Sequence, residues 1–378
     1  MIWAVVMFLS IVSLLAVYSS TGTLAYRSQG GNTTYYILKH SSILIVSLGI
    51  IFITHMIPFK FYSRLSQLFL FLSVIMLVIT LIMGTTINEA SRWLTLPGLG
   101  FTIQTSDFAK LSLIMYLARV LSRKQYAIKD LHDSFFRLLV PILVVCGLIM
   151  PANLSTSLIL FATCIILMFI GRVRTRYLIG LVLSGILFLS IFIAIALYSQ
   201  SEGRLGTWRN RIESFVTKSG EGSYQVEQSK IAIATGGLLG KGPGNSSQRN
   251  FLPHPYSDFI YAIIVEEYGL VGGLIVLFFY LWLLYRAGII VKRSSRTFPA
   301  FLATGLTLSI VIQAMINMAV VVNLFPVTGQ PLPLVSMGGS SLVFTSIALG
   351  IILSVSTGVQ KATKAEPEIE DNGHEAGN

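Results

Sequence analysis

The sequence predicts an all-α, polytopic integral membrane protein, and three observations carry that prediction. Apolar residues make up 54% of the chain and charged residues only 11%, whereas a soluble protein carries roughly a quarter charged. The mean hydropathy is +0.75. The apolar residues gather into ten runs, near 2–19, 41–58, 68–84, 106–121, 137–151, 155–171, 177–198, 259–285, 300–322 and 341–358. Each is long enough to cross, or nearly cross, a hydrocarbon core of ~30 Å. Helices are expected because a helix satisfies its own backbone in lipid, and no alternating strand pattern competes.

The first run follows Met1-Ile2-Trp3 directly, with no basic leader and no small-residue cleavage site, so it reads as a retained helix. The fourth and fifth runs are short and suit tilted or partly re-entrant segments. Basic residues set the orientation. With the N-terminus inside, the cytoplasmic loops hold Lys60 and Arg64, then Arg123, Lys124 and Lys129, then Arg172, Arg174 and Arg176. Arg286, Lys292, Arg293, Arg296, Lys361 and Lys364 follow on the same side. Both termini are then cytoplasmic. A large extracytoplasmic loop, 199–257, joins the seventh and eighth helices, and long loops cross regardless of their charge. One membrane domain is expected over 1–360. The tail, 361–378, is acidic and nearly free of apolar residues, which predicts a disordered cytoplasmic segment.

Several function classes fall away. The net charge is +11, but no basic run is long enough for nucleic acid. Cys146 and Cys164 both lie in apolar runs and suggest neither disulfide nor metal site, and the five histidines show no zinc spacing.

Polar chemistry concentrates in three stretches that the orientation places outside. The first runs from Asn88 through Arg92-Trp93 to Gln104-Thr105-Ser106-Asp107 and Lys110. The second is the long loop, with Arg209, Arg211, Tyr224-Gln225 and Gln228-Ser229, then the glycine-rich Gly236–Gly244, ending at Asp258. The third is Asn323–Ser336, followed by Gly338-Gly339-Ser340-Ser341. Its prolines at 326, 331 and 333 forbid a regular helix, and irregular backbone at membrane depth belongs in a cavity wall.

Asp258 sits where the eighth helix begins. That position suits an N-cap and equally suits proton chemistry, since ionisable groups at such depths are costly and usually functional. Lys110 suits an ion pair with Asp107 one turn back or an anionic headgroup. The glycine stretch suits a re-entrant loop or a phosphate cradle, and lacks the Walker pattern. Gln313 and Asn317 share a helical face suited to interhelical hydrogen bonds.

Taken together and in order, these stretches resemble the SEDS family, the FtsW/RodA polytopic proteins, over residues 1–360. Arg92-Trp93 and Gln104–Lys110 match its R-W and Q-P-S-E-x-A-K; Tyr224-Gln225 with Gln228-Ser229 match Y-Q…Q-S. Gly236–Ser246 matches its glycine motif, Leu252-Pro253…Ser257-Asp258-Phe259-Ile260 its L-P-x-x-H-T-D-F-I, and Pro326–Ser341 its P-x-x-G-x-x-L-P-x-x-S-Y-G-G-S-S. Tyr256 stands in the usual His position, Asp107 replaces a Glu, Asn153 replaces an acid and Met337 a Tyr. The run Asn323–Leu334 reads closer to the division (FtsW) branch than to the elongation (RodA) branch.

The resemblance implies a peptidoglycan glycosyltransferase that polymerises lipid II on the outer face of the bacterial cytoplasmic membrane. Its partners would be a class B penicillin-binding protein and other divisome membrane proteins, with no nucleic acid. On this reading Asp258 is the catalytic base. Lys110, Arg92, Arg209 and Arg211 are the cations for pyrophosphate; Trp93, Gln225, Gln228, Ser229, Ser336 and Ser340 are further substrate contacts. No metal ligands are assigned; a divalent cation would suit the departing pyrophosphate, and the sequence names none. The rival readings are a lipid II translocator without covalent chemistry and a scaffold for the transpeptidase.

Overall fold

The computed structural model describes residues 1–22, 24, 32–87, 90–95, 102–123, 131–198, 204–217 and 220–375. Lys124 and Lys129, and Asn88 with Glu89, lie outside them. The chain is mostly helical. In order come α1 (Ile2–Ser20), α2 (Thr33–Met56), α3 (Phe59–Met83), α4 (Thr105–Arg123), α5 (Leu131–Ile149), α6 (Leu154–Ile170) and α7 (Thr175–Tyr198). Then follow α8 (Arg204–Thr217), α9 (Glu221–Gly236), α10 (Ile260–Arg293), α11 (Thr297–Val321) and α12 (Gly339–Glu375).

Each expected apolar run is helical. Among the described residues seven helices are long and apolar enough to cross a membrane: α1, α2, α3, α7, α10, α11 and the Gly339–Gln360 part of α12. Phe135–Ile149 and Leu154–Ile170 are apolar but shorter. The remaining one, α4, carries Asp107, Lys110, Arg119 and Arg123. The backbone of α12 stays helical past Gln360 into the acidic tail expected to be disordered.

One departure from an all-α chain is a small antiparallel sheet in the order β1 (Thr85–Ile87), β2 (Ala90–Thr95), β3 (Thr102–Gln104). Trp93 pairs with Gln104 on one side and Thr85 on the other. Threonines, Ile103 and Trp93 suit a pleated surface, and the strands are too short for their alternation to show in the sequence.

The protein turns its packed interior and its apolar exterior to different solvents. Leu113, Ile114, Met115 and Leu117 of α4, Leu160 of α6 and Leu302 of α11 are almost wholly buried. By contrast α7 exposes Ile179, Leu183, Ile186 and Leu187. An apolar outer face of that extent is at home against lipid.

The long helix α10 is interrupted at Gly269, whose φ is +72°. There the glycine-rich segment after α9 docks on it. Leu270 N–H donates to the Gly237 carbonyl at 2.9 Å, while Lys241 and Gly242 N–H donate to the carbonyls of Glu266 (3.0 Å) and Glu267 (2.9 Å). The two backbones approach so closely that a Cβ on Gly269 would collide with the Leu238 carbonyl, and one on Gly240 with that of Glu267. The amides of Gly240, Lys241 and Gly242 are engaged by backbone carbonyls, and the glycines serve close backbone packing, which argues against a phosphate cradle at those positions.

Candidate active site

The irregular segment 322–338 closes one end of the bundle, where α1, α3 and α11 finish and α4, α6, α10 and α12 begin. The Asp258 backbone is held against this segment. Asn317 Nδ2 donates to the Asp258 carbonyl at 2.8 Å and to the Gln330 carbonyl at 2.7 Å. Ser336 Oγ donates to the Ser257 carbonyl at 2.6 Å and accepts from Leu332 N–H at 2.8 Å. Met337 N–H donates to the Tyr256 carbonyl at 2.9 Å. Gln330 Nε2 reaches Thr156 Oγ1 at 2.9 Å, and Asn153 caps α6 by accepting from Thr156 N–H at 3.2 Å. Helix α11 and the irregular segment, the latter tied to α6, thus fix one peptide.

The carboxylate is half-buried and accepts Ser257 Oγ at 2.8 Å. It is not a helix cap: the N-cap is Phe259, and no side chain caps the helix. Facing it is Arg211 of α8. A Cβ built on Gly329 would lie 3.4 Å from Asp258 Oδ2 and 3.9 Å from Arg211 Nη2, so acid and guanidinium both lie close to the bare backbone of Gly329. Arg211 Nη1 also donates to the Thr328 carbonyl at 3.4 Å. Burial lowers the Arg211 pKa and the charge of Asp258 offsets only part of that; a guanidinium remains a cation at neutral pH. Tyr256, in the usual His position, has its phenol pKa raised by burial and then by Tyr36 and Asp258. A groove of about 300 Å³ opens beside Arg211, between α8, α9 and the segment after α11.

The other expected site residues divide. Lys110, its side chain 12% exposed, pairs with Asp107 at 2.8 Å, the helical i,i+3 alternative, and donates to Gln313 Oε1 at 3.0 Å. It lines a pocket of about 40 Å³ together with Asp107 and Gln313. Through Gln313, whose Nε2 donates to the Pro331 carbonyl at 3.0 Å, Lys110 supports the segment that holds Asp258. Ser229 and Ser336 are buried as well, and their hydroxyls serve internal bonds, Ser229 to the carbonyls of Val226 and Val321. Ser340 is buried with its hydroxyl unpartnered. Ser229 and Ser336 thus hold backbone carbonyls, as buried hydroxyls usually do, whereas Ser340 makes no such bond. Arg209 pairs along its own helix with Glu213 at 2.7 Å. Gln225 lines open space along α8 and α9, and Gln228 is half-buried. Trp93 lies half-buried on β2; the Arg92 side chain is outside the described residues.

The sequence reading left Glu266 and Glu267 without roles. Both are fully buried. Glu266 accepts from Lys241 Nζ at 2.6 Å, Ser247 N–H at 3.2 Å and Gln248 N–H at 3.2 Å. Glu267 accepts from Ser19 Oγ, which ties in α1. Their adjacency to a glycine-rich loop and a lone Lys241 was the available signal. Among the described residues no three His, Cys, Asp or Glu side chains gather as metal ligands would.

Fold and site together define a multi-pass membrane protein with a carboxylate and an arginine held at one end of the bundle. A family model described as "Cell cycle protein", covering FtsW, RodA and SpoVE, matches residues 1–361, and the chain belongs to that family. It is 33% identical to the "Probable peptidoglycan glycosyltransferase FtsW" of Trichlorobacter lovleyi, over 92% of this chain and 90% of that one. It is equally 33% identical to the Bacillus subtilis "Stage V sporulation protein E", over 91% and 93%. Among solved structures it resembles a chain described under "Structural coordination of polymerization and crosslinking by a peptidoglycan synthase complex", with TM-score 0.69 and 23% identity over 94% and 97%. The Thermus thermophilus rod shape determining protein RodA follows, with TM-score 0.66 and 22% identity over 93% and 95%. At those identities the likeness establishes the fold.

Proposed function

We propose that this protein is a peptidoglycan glycosyltransferase that polymerises lipid II into glycan strands during cell division. The names borne by its relatives support the activity, and the placing of Asp258 and Arg211 beside Gly329 carries the mechanism. In the full reading the chain spans the cytoplasmic membrane ten times, as one domain over 1–360 with both termini inside. The site then faces outward, where a lipid-linked disaccharide presents its headgroup.

Asp258 acts as general base. The oxygen of the acceptor sugar's 4-hydroxyl forms a bond to the donor's anomeric carbon. The bond from that carbon to pyrophosphate breaks, and the hydroxyl proton passes to the Asp258 carboxylate. A single displacement converts an α-linked pyrophosphate into a β-glycosidic bond. Arg211 stabilises negative charge as it develops on the leaving group, and the clamps at Ser257, Asn317 and Ser336 hold the base in place. A class B penicillin-binding protein, with other divisome membrane proteins, is the partner that this reading supplies.

The test is lipid II polymerisation by purified protein in detergent, with and without the transpeptidase and with and without chelator, for wild type and Asp258→Ala. Glycan synthesis by wild type and none by a folded Asp258→Ala is the expected result. Full activity in the variant would end the assignment, and headgroup translocation in sealed vesicles without glycan synthesis would support a translocator instead.

A further inference from the structure

The groove beside Arg211 continues further than the catalytic pair requires. Its inner part, about 300 Å³, lies between α8, α9 and the segment after α11. A second open space of about 640 Å³ runs along α8 and the start of α9. Arg211, Ser214, Gly222 and Val327 line both. They form one groove with the cation beside Asp258 in its wall, and each part is within or close to the ~300–1,000 Å³ of small-molecule sites.

Its chemistry is not that of an anion site. The charged lining groups are Arg211 and Lys230 against Glu213 and Glu227, two of each sign, and Glu213 is already held by Arg209 at 2.7 Å. A pyrophosphate calls for converging cations, and beyond Arg211 the groove shows no surplus of them. Neutral polar groups take their place: the amides of Asn210, Gln225 and Asn323 and the hydroxyls of Ser214 and Ser223. Val226, Val327 and the exposed Phe215 add apolar surface. Amides and hydroxyls both donate and accept, which suits the hydroxyl and N-acetyl groups on a pyranose rim. The apolar side chains suit the C–H faces of the ring.

We infer that this groove is a subsite for the sugars of the glycan itself, an uncharged N-acetylated saccharide lying along α8 and α9 and leading to Asp258. The inference rests on the polymerase reading for the identity of its ligand and adds where the polymer lies.

The test titrates the full chain in detergent with a soluble β-1,4-linked N-acetylglucosamine tetrasaccharide, free of lipid and pyrophosphate, by calorimetry. Wild type and Asp258→Ala bind it alike. Ser223→Trp, which fills the inner groove, weakens binding by about tenfold or more and shortens the strands made from lipid II. Gln225→Trp does the same from the outer part, and stands in should Ser223→Trp melt early. No binding by wild type, binding untouched by both tryptophans, or pyrophosphate binding that the tryptophans abolish would each overturn the subsite. Tetrasaccharide binding without any glycan synthesis would leave the groove standing and remove the polymerase reading. Synthesis without binding would remove the groove alone.

Discussion

Replacing Asn317 by Leu tests whether the clamp on Asp258 serves the chemistry. The exchange keeps the branching and the heavy-atom count of the side chain, adds the bulk of two methyl groups and deletes both N–H donors, so the carbonyls of Asp258 and Gln330 lose their bonds of 2.8 and 2.7 Å. A buried carbonyl left without a partner costs about 1–3 kcal/mol. Gln330 is 4% exposed and bears the full cost; the half-buried Asp258 regains some water, so the loss should be about 3 kcal/mol in all. The larger effect falls on rate. Freed from Asn317, the Asp258 peptide can shift relative to Arg211, and a misplacement of about 1 Å at a reacting group costs about 100-fold. Thermal unfolding and lipid II polymerisation on the same purified sample read both effects. A lower melting temperature with kcat reduced about 100-fold and KM nearly unchanged is expected, because positioning acts on the reacting geometry rather than on binding. A folded Asn317→Leu protein with wild-type kcat would refute the positioning role.

Lys110→Met should lower stability by about 3–5 kcal/mol, because it leaves the buried Asp107 charge uncompensated, and the double variant Asp107→Asn/Lys110→Met should recover most of both melting temperature and activity. Recovery of stability without activity would show instead that Lys110 meets the substrate. Gly269→Ala should reduce the yield of folded protein sharply: its φ of +72° and the contact with the Leu238 carbonyl leave a methyl no room, and strain at such positions costs about 1–3 kcal/mol before the collision is counted. Recovery of folded Gly269→Ala at wild-type yield and melting temperature would refute the tight docking.

The membrane class and the helical runs were legible because an apolar run of spanning length is written in consecutive residues. The place of Asp258 was legible for the same reason, since a polar loop visibly gives way to an apolar helix there. Its being a cap was not excluded until the backbone showed Phe259 in that position. The Asp107–Lys110 pair stood in the spacing as one of two readings, and the structure shows it formed at 2.8 Å. What the sequence hid were partners joined across long separations. Asn317 bonds back across 59 residues to Asp258. Gly269 requires the bare backbone at 237–242, which no local pattern announces. Ser229 and Ser336 carry hydroxyls of the right kind in the right motifs, and only the packed structure shows that carbonyls already hold them.

The break in α10 leaves a short stub, Ile260–Tyr268, between Asp258 and the docked glycines. At 1.5 Å per residue it is about 13 Å long. Its near end is pinned through Asn317 and Ser336, its far end by the backbone of the glycine segment, with Glu266 and Glu267 as rivets between that segment and α1. The acid therefore rides on a strut anchored independently of the lower two-thirds of the same helix. Tilting within the lipid, or a neighbour leaning on the lower shaft, can flex at the glycine joint without dragging the carboxylate off its mark.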